Sequence, residues 1–280
     1  MTELPTGLDP DPGFRGGVEA WLHPAELDLL CTFAEIAAPF PLRAKALGDR
    51  RAAYAAARAQ LHARGLADHR GPRGIAADLV HLLREGAGAL DIMVARRGQV
   101  HGAVVLAQRG EGLLITQDIR TAGARAHLLA LSAHDAVDRM VDLVPDLAPA
   151  LSAPFSVPRA ALDRVHRAIQ AATEPDGSPR RLEPDEVDRL LRAHGIDDQT
   201  ARKMATHLQP VLGNGQAGVA VRRGYGDEWT RSGDEVRWLD TARGRFRLAA
   251  DETGEWMSVN PLPREELRTQ IRGLAGELWW

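Results

Sequence analysis

The glycine run at Gly213, Gly215 and Gly218 has the spacing Gly-x-Gly-x-x-Gly, which is typical of a dinucleotide-binding loop. In such a loop the run follows a strand and opens a helix, whose amino terminus faces the pyrophosphate. Here helical spacing precedes the run and strand spacing follows it, which is the reverse order. The sequence therefore predicts a flexible connection from a helix to a strand, and no nucleotide site.

Other reactive side chains also lack the spacing of a catalytic or metal site. No two of the ten histidines lie within two to five residues of each other, as helical zinc ligands do. Cys31 lies in an apolar helical segment and is expected to be a small buried hydrophobe. Asp118 and Asp240 each end a strand, where turn stabilisation is the expected role. We expect no catalytic residue, no cofactor and no metal.

Composition narrows the choice of partners. The 280-residue chain has a net charge of -3, so no basic excess indicates a nucleic-acid partner. No run of 18 apolar residues is present, and no membrane span is expected. A single cysteine and a first segment without an apolar signal region favour a cytoplasmic location.

The elements that must position any site form two similar halves. Residues 1–17 are expected to be a flexible lead-in, and the first half covers residues 18–150. It has four predicted helices. The first begins after Pro24, and the others cover Arg43–Arg64, Gly74–Glu85 and His134–Leu143. Its predicted strands are Leu90–Arg97, Val100–Gln108, Leu113–Asp118 and His127–Ser132.

The second half, residues 151–280, repeats this order. Its predicted helices are Arg159–Ala172, Pro184–His194, Asp198–Gln209 and a last helix with an apolar stripe. Its predicted strands are Gly218–Arg223, Glu228–Arg231 after a turn at Gly224–Asp227, and three more that contain Trp238, Phe246 and Trp256.

A local match supports the repeat. The segment from Val94 to Gly98 aligns with the segment from Ala220 to Gly224 at an offset of 126 residues. The other interpretation is that Arg-Arg-Gly recurs by chance in an arginine-rich chain. The repeat predicts an α+β fold with two pseudo-symmetric halves, each made of helices, a meander and a helix. Their two meanders would pair edge to edge into one central antiparallel sheet.

The carboxy-terminal region carries a family resemblance. The Asp-Thr-Ala-Arg-Gly-Arg turn at Asp240–Arg245, the Trp-x-x-Val-x-Pro strand from Trp256 and the closing helix resemble the signature of the EspG family. These proteins are associated with ESX (type VII) secretion in actinobacteria. The resemblance implies a central sheet flanked by helical bundles, and a cytosolic chaperone. Its client would be the helical tip of the PPE subunit of PE-PPE heterodimers, or another helical ESX substrate, kept soluble for export.

The resemblance also implies a client surface on the central sheet and the second helical bundle. A homodimer and the identity of the client stay open, and the alternative function is an enzyme or small-ligand-binding α+β protein whose site is assembled from distant residues. The predicted partner-binding residues on this chain are Arg97, Gln99, His101, Leu191, Met204, Val219, Val221, Arg223, Trp229 and Trp238.

Overall fold

The computed structural model describes residues 18–44, 48–171, 183–193, 195–208, 210–222 and 229–279. Within these ranges the strands are β1 (Glu19–Leu22), β2 (Gly88–Arg96), β3 (Gln99–Gln108), β4 (Glu111–Asp118), β5 (Ala126–Ser132), β6 (Phe155–Pro158), β7 (Val211–Val221), β8 (Thr230–Thr241), β9 (Gly244–Ala250) and β10 (Trp256–Pro261). The helices are α1 (Pro24–Ala34), α2 (Arg50–Ala63), α3 (Ile75–Glu85), α4 (Ala133–Val141), α5 (Arg159–Ala171), α6 (Pro184–Ala193), α7 (Asp198–His207) and α8 (Arg264–Trp279). The described helices include none that is long and apolar enough to cross a membrane.

The ten strands form one sheet in the order β1-β5-β4-β3-β2-β7-β8-β9-β10-β6. The first five strands of this order belong to one half of the chain and the last five to the other. Strands β2 and β7 join the halves by antiparallel pairing from Gly88↔Val221 to Arg96↔Gly213. Each half has an edge strand, three helices, four strands and a helix, in that order. The predicted α+β fold with two pseudo-symmetric halves is confirmed, while the division of one domain into halves at residues 150 and 151 stays a prediction.

The helices cover the two faces of this sheet unequally. Helices α1, α2 and α3 pack on the first half through a core that includes Leu79 and Ile115. Helices α5 and α7 pack on β6, β9 and β10 through a core that includes Phe246 and Val259. Helices α4 and α8 cover the opposite face, where Trp238 is buried beneath them. Because side chains alternate along β8, its successive residues contact different helical layers.

The prediction of a flexible connection at the glycine run is wrong, because Gly213, Gly215 and Gly218 lie inside β7. A Cβ on Gly215 would lie 2.1 Å from Cζ2 of Trp238, and one on Gly218 would lie 2.5 Å from Nη2 of Arg231. Gly215 and Gly218 make room for large side chains of the neighbouring strand β8, whereas a Cβ at Gly213 would lie 2.6 Å from the carbonyl oxygen of Ala95 on β2. This requirement comes from a distant segment, so the local sequence does not reveal it.

Other differences concern the ends of elements. Helix α1 ends at Ala34 because Glu35 takes a left-handed conformation, with φ of 60°. Helix α2 begins at Arg50, after the N-cap Asp49, and so starts later than the predicted Arg43. The edge strands β1 and β6 were not predicted, since four residues are too few to show a period. Strand β8 is continuous from Thr230 to Thr241, where two strands were expected; the lead-in 1–17 and the turn at Gly224–Asp227 lie outside the described residues.

The turn between β8 and β9 contains a buried ion pair. Arg245 donates from Nε to Asp240 Oδ1 at 2.6 Å and from Nη2 to Asp240 Oδ2 at 2.9 Å. Asp240 was expected to stabilise the turn by bonding its own backbone, but Thr241 does this by accepting from the Arg243 backbone N–H at 3.0 Å. The carboxylate of Asp240 is used instead to neutralise a guanidinium that has no access to solvent.

Arg245 also holds the segment that crosses from α4 to β6. Its Nη2 donates to the carbonyl of Pro145 at 2.8 Å. Its backbone N–H donates to Ala148, and its carbonyl accepts from the N–H of Ala150. Gly244 has φ of 118°, and a Cβ there would lie 2.7 Å from the backbone of Ala150. The Gly-Arg pair of the turn thus binds the crossing segment to the second half.

We predict that Gly215→Ala lowers the free energy of unfolding by about 1–3 kcal/mol, because the new methyl group must displace the ring of Trp238. Urea denaturation measures the change. The control is Gly233→Ala on β8, where a Cβ has nothing within 4 Å. We expect this control to change stability by less than about 0.5 kcal/mol. Equal losses in the two variants would contradict the packing argument.

We also predict that Asp240→Ala destabilises the protein by about 3–5 kcal/mol, because it leaves the guanidinium of Arg245 buried without a counter-charge. The double variant Asp240→Ala/Arg245→Met removes both charges and should recover most of this loss. Thermal and urea unfolding of the two variants test the expectation. A double variant less stable than Asp240→Ala would show that the ion pair is not the cause.

Candidate functional site

One face of the sheet is left uncovered at its centre. On β2, β7 and β8 the residues Met93, Asn214, Gln216 and Arg237 are half-buried or exposed, although these strands occupy the middle of the sheet. On the opposite face of the same strands, residues such as Val219 are fully buried. The open strip lies between the α1–α3 bundle and the α5–α7 bundle. We call it the central groove.

A wall of the central groove is formed by the segment that follows α1. A cleft of about 670 Å³ lies between residues 35–40 and the strands β2, β7 and β8. Gln117 fixes this segment: its Oε1 accepts from the backbone N–H of Arg43 at 2.7 Å, and its Nε2 donates to the carbonyl of Arg43 at 3.0 Å. Phe40 remains 51% exposed at the cleft. The wall therefore offers an aromatic ring on a fixed backbone.

Four charged side chains form a chain of ion pairs across the floor of the groove. Arg231 donates from Nη1 to Asp91 Oδ2 at 2.6 Å and from Nη2 to Asp91 Oδ1 at 3.0 Å. Its Nε donates to Glu235 Oε1 at 2.7 Å, and Arg237 Nε donates to Glu235 Oε2 at 2.8 Å. The ring of Phe40 lies over the Arg231 guanidinium, 5.1 Å from ring centre to Cζ. The floor is thus polar, ordered and neutral in sum.

Asp91 is the most buried member of this chain. Burial raises its pKa to about 6, although the hydrogen bonds and charge of Arg231 act in the other direction. Adjacent Glu235 adds a smaller repulsion. The carboxylate is covered by Arg231, and so it serves to orient that guanidinium.

The predicted residues of the β2–β3 turn lie at one end of the central strands. Arg97, Gln99 and His101 are all exposed. His101 and Gln99, however, share the face of Ala103 and Val105, which is the one opposite the groove. The turn is tight, with positive φ at Arg97 and Gly98, as a two-residue hairpin requires. Beside it, where Arg96 pairs with Gly213, the start of β7 exposes Val211 and Leu212. The sequence had not indicated this apolar pair, because it falls between a helix and a glycine run.

Three of the predicted contact residues have no accessible side chain. Val219 and Trp238 are buried beneath α4 and α8 on the covered face. Leu191 is buried inside the bundle of α5, α6 and α7. Their apolar character therefore reflects burial in cores, and they cannot contact a partner directly.

The remaining predicted residues are divided between surfaces. Trp229 lines the cleft beside the groove, and the guanidinium of Arg222 lies 5.7 Å from its ring centre. Val221 lies on the opposite face, partly buried against the α8 core. Met204 is partly buried between β9, β10 and the helices of the second bundle. Arg223 lies outside the described residues. The structure thus brings Trp229 to the groove but separates it from Val221.

The described residues give little support to the alternative of an assembled catalytic site. They include no group of three or more His, Cys, Asp or Glu side chains placed to hold a metal ion. Cys31 lines a cavity of about 1110 Å³ between α1, α2 and residues 117–124. Burial raises the pKa of its thiol to about 12, so the nucleophilic thiolate is disfavoured. Cys31 is a buried hydrophobe, as expected.

At its centre the sheet is covered on one face by α4 and α8 and is open on the other, so a main accessible feature of the described residues is a groove between two helical bundles. Comparison of the sequence with protein families identifies the family to which the chain belongs. The chain belongs to the EspG family, which it matches over residues 23–273. The resemblance noted at the Asp240–Arg245 turn is confirmed.

A solved structure agrees with this assignment. The chain is similar to the type VII secretion system chaperone EspG5 of Mycobacterium tuberculosis, solved in complex with the PE25-PPE41 dimer. The TM-score is 0.61 at 12% identity, over 93% of this chain and 97% of that one, which establishes a shared fold. The full-length peroxisomal multifunctional enzyme type 2 of Drosophila melanogaster aligns with a TM-score of 0.17 at 13% identity, over 88% of this chain and 48% of that one, and carries no argument. No curated protein matches the chain.

We predict that Asp91→Asn removes a pH-dependent part of the stability. Because the folded pKa of about 6 lies above the ordinary value of 3.8, the folded protein holds a proton between these pH values that the unfolded chain has lost. The contribution of Asp91 to the free energy of unfolding therefore falls as pH rises from 4 to 6, by up to about 3 kcal/mol. Urea unfolding of both proteins at pH 4, 5, 6 and 7 measures it. A wild-type minus variant difference that is constant with pH would refute the burial of this charge.

Proposed function

We propose that the chain is a chaperone of type VII secretion that binds the helical tip of a PPE-type or related helical substrate in the central groove. The observation that carries the proposal is the open strip of sheet between two helical bundles. Membership of the EspG family supports it, as does the complex in which the EspG5 chaperone was solved with a PE-PPE dimer. The proposed site is the groove floor, its aromatic wall at Phe40 and Trp229, and the β2–β3 turn.

The protein would keep its client soluble by binding alone, without covalent chemistry. A helical tip with exposed apolar residues aggregates in water, and covering about 800 Å² on each partner removes that surface from solvent. The groove is suited to this, because it combines aromatic side chains at one wall with exposed Val211 and Leu212 at its end. We therefore infer a binding protein without enzymatic activity. It would meet its client in the cytoplasm, before export.

The proposal is tested by co-expression. The chain is produced together with each PE-PPE pair and each other helical ESX substrate of its source organism, with the affinity tag on the client. We expect at least one client to retain the chain through size-exclusion chromatography in a fixed ratio. Absence of a stable complex with every PE-PPE pair and every other helical substrate would overturn the proposed function.

We predict that Trp229→Asp weakens the complex by at least about 30-fold, because it places a charge at an apolar wall of the groove. The matched control is Trp256→Asp. Trp256 is exposed, at 47%, and lies on β10 beside the edge strand β6, whereas Trp229 is partly buried against the α1–α3 core, so circular dichroism must first show that Trp229→Asp folds. The control should bind as the wild type does. Isothermal titration with the co-purified client measures both affinities, and loss of binding in Trp256→Asp alone would place the client elsewhere.

A further inference from the structure

Arg237 is the more accessible of the two arginines on the floor of the central groove, and it is held in a fixed orientation. Arg237 lies on β8 with its guanidinium toward the open face, since its neighbours Val236 and Trp238 point into the α4–α8 core. Its Nε donates to Glu235 Oε2 at 2.8 Å, and Nη2 donates to the same oxygen. Its side chain is 45% exposed. Glu235 therefore fixes one edge of the guanidinium and leaves the rest accessible.

Both carboxylates of the floor are already neutralised. Asp91 receives two hydrogen bonds from Arg231, and Glu235 receives bonds from Arg231 and Arg237. Although burial acts to raise the pKa of Glu235, these arginines hold it below its ordinary value, so Glu235 stays ionised. Among the described groove residues, Arg231 bonds both carboxylates and lies against Phe40, whereas Arg237 contacts only Glu235 and is the more exposed of the two. A client that enters the groove therefore meets mainly the outer N–H groups of the Arg237 guanidinium.

The surroundings of Arg237 would strengthen an ion pair once a partner covers them. The cleft that Arg237 lines also contains Ala89, Ala220, Phe40 and Trp229, which are apolar or aromatic. A protein that fills the cleft excludes water from it, and Coulomb interactions grow as the local dielectric falls. A guanidinium held along one edge loses less side-chain entropy when it pairs with a planar carboxylate.

We propose that Arg237 is a specificity-determining residue, which binds an Asp or Glu side chain at the helical tip of the client. The inference rests on the proposed function and adds a requirement to it. The client must carry a carboxylate among the apolar residues that enter the groove. A tip that is apolar throughout, or one with a basic residue at that position, is rejected because it desolvates the outer N–H groups of Arg237 without giving them an acceptor.

The test measures affinity for the purified client found by co-expression, by isothermal titration at 50 and 300 mM NaCl. We expect Arg237→Glu to weaken binding at least about 30-fold at the lower salt, because it sets like charges against each other. Arg237→Gln keeps the length of the side chain without its charge. It should weaken binding by about tenfold and reduce the salt dependence. The control is Arg139→Glu, an exposed position on α4 at the opposite face.

A charge reversal in the client completes the test. Replacing each Asp or Glu of the client tip by Arg, one at a time, should yield one variant that binds wild type poorly and Arg237→Glu well. Unchanged affinity of Arg237→Glu and Arg237→Gln, with binding still lost in Trp229→Asp, would overturn the inference and leave the proposed function standing. Absence of any client for the wild-type chain would overturn both. Circular dichroism confirms folding, and Arg237→Gln serves if Arg237→Glu does not fold.

Discussion

The structure depends on the antiparallel pairing of β2 with β7, which turns two five-stranded half-sheets into one sheet. The close approach needs glycine at Gly88, where a Cβ would lie 2.0 Å from the carbonyl oxygen of Ala220. Because the pairing relates the halves by an approximate two-fold rotation, α4 and α8 meet on one face and bury the seam. The α1–α3 and α5–α7 bundles lie at opposite ends of the other face. The central groove is the space that this arrangement leaves between them.

Much of the fold could be predicted because its signals are local. Alternating apolar residues and glycine turns indicated the first meander, and helical spacing indicated α3, α6 and α7. The repeat of element order then indicated two halves. The errors fall where a distant partner decides the local structure. The glycines of β7 suggested a loop, since nothing nearby shows that Trp238 and Arg231 occupy the space above them. The four-residue edge strands exist because β5 and β10 supply their partners.

The site was less predictable than the fold. Alternation in a strand tells which residues share a face, but it does not tell which face the helices cover. Val219 and Trp238 were predicted from the client surface that the family resemblance implies, but their side chains lie on the covered face. On the open face the same strands carry Gln216 and Arg237, whose polarity suggested ordinary surface. Trp229 was identified because the resemblance implies a client surface on the central sheet. Phe40 could not be identified, since its place at the groove depends on the contacts of Gln117 with Arg43.

The bonds between Arg245 and the crossing segment determine where the chain can be cut or extended without loss of structure. Residues 145–150 appear from their position to be a tether between halves, yet they are bonded to the β8–β9 turn at three points. A protease would need to unfold part of the second half to reach the peptide bonds there. Reporter insertions, split-protein pairs and circular permutants joined at this crossing would break the same contacts. The exposed hairpin between β3 and β4 is the better place to cut or extend the chain, provided that Gly110 is kept, because its φ of 85° strains any side chain.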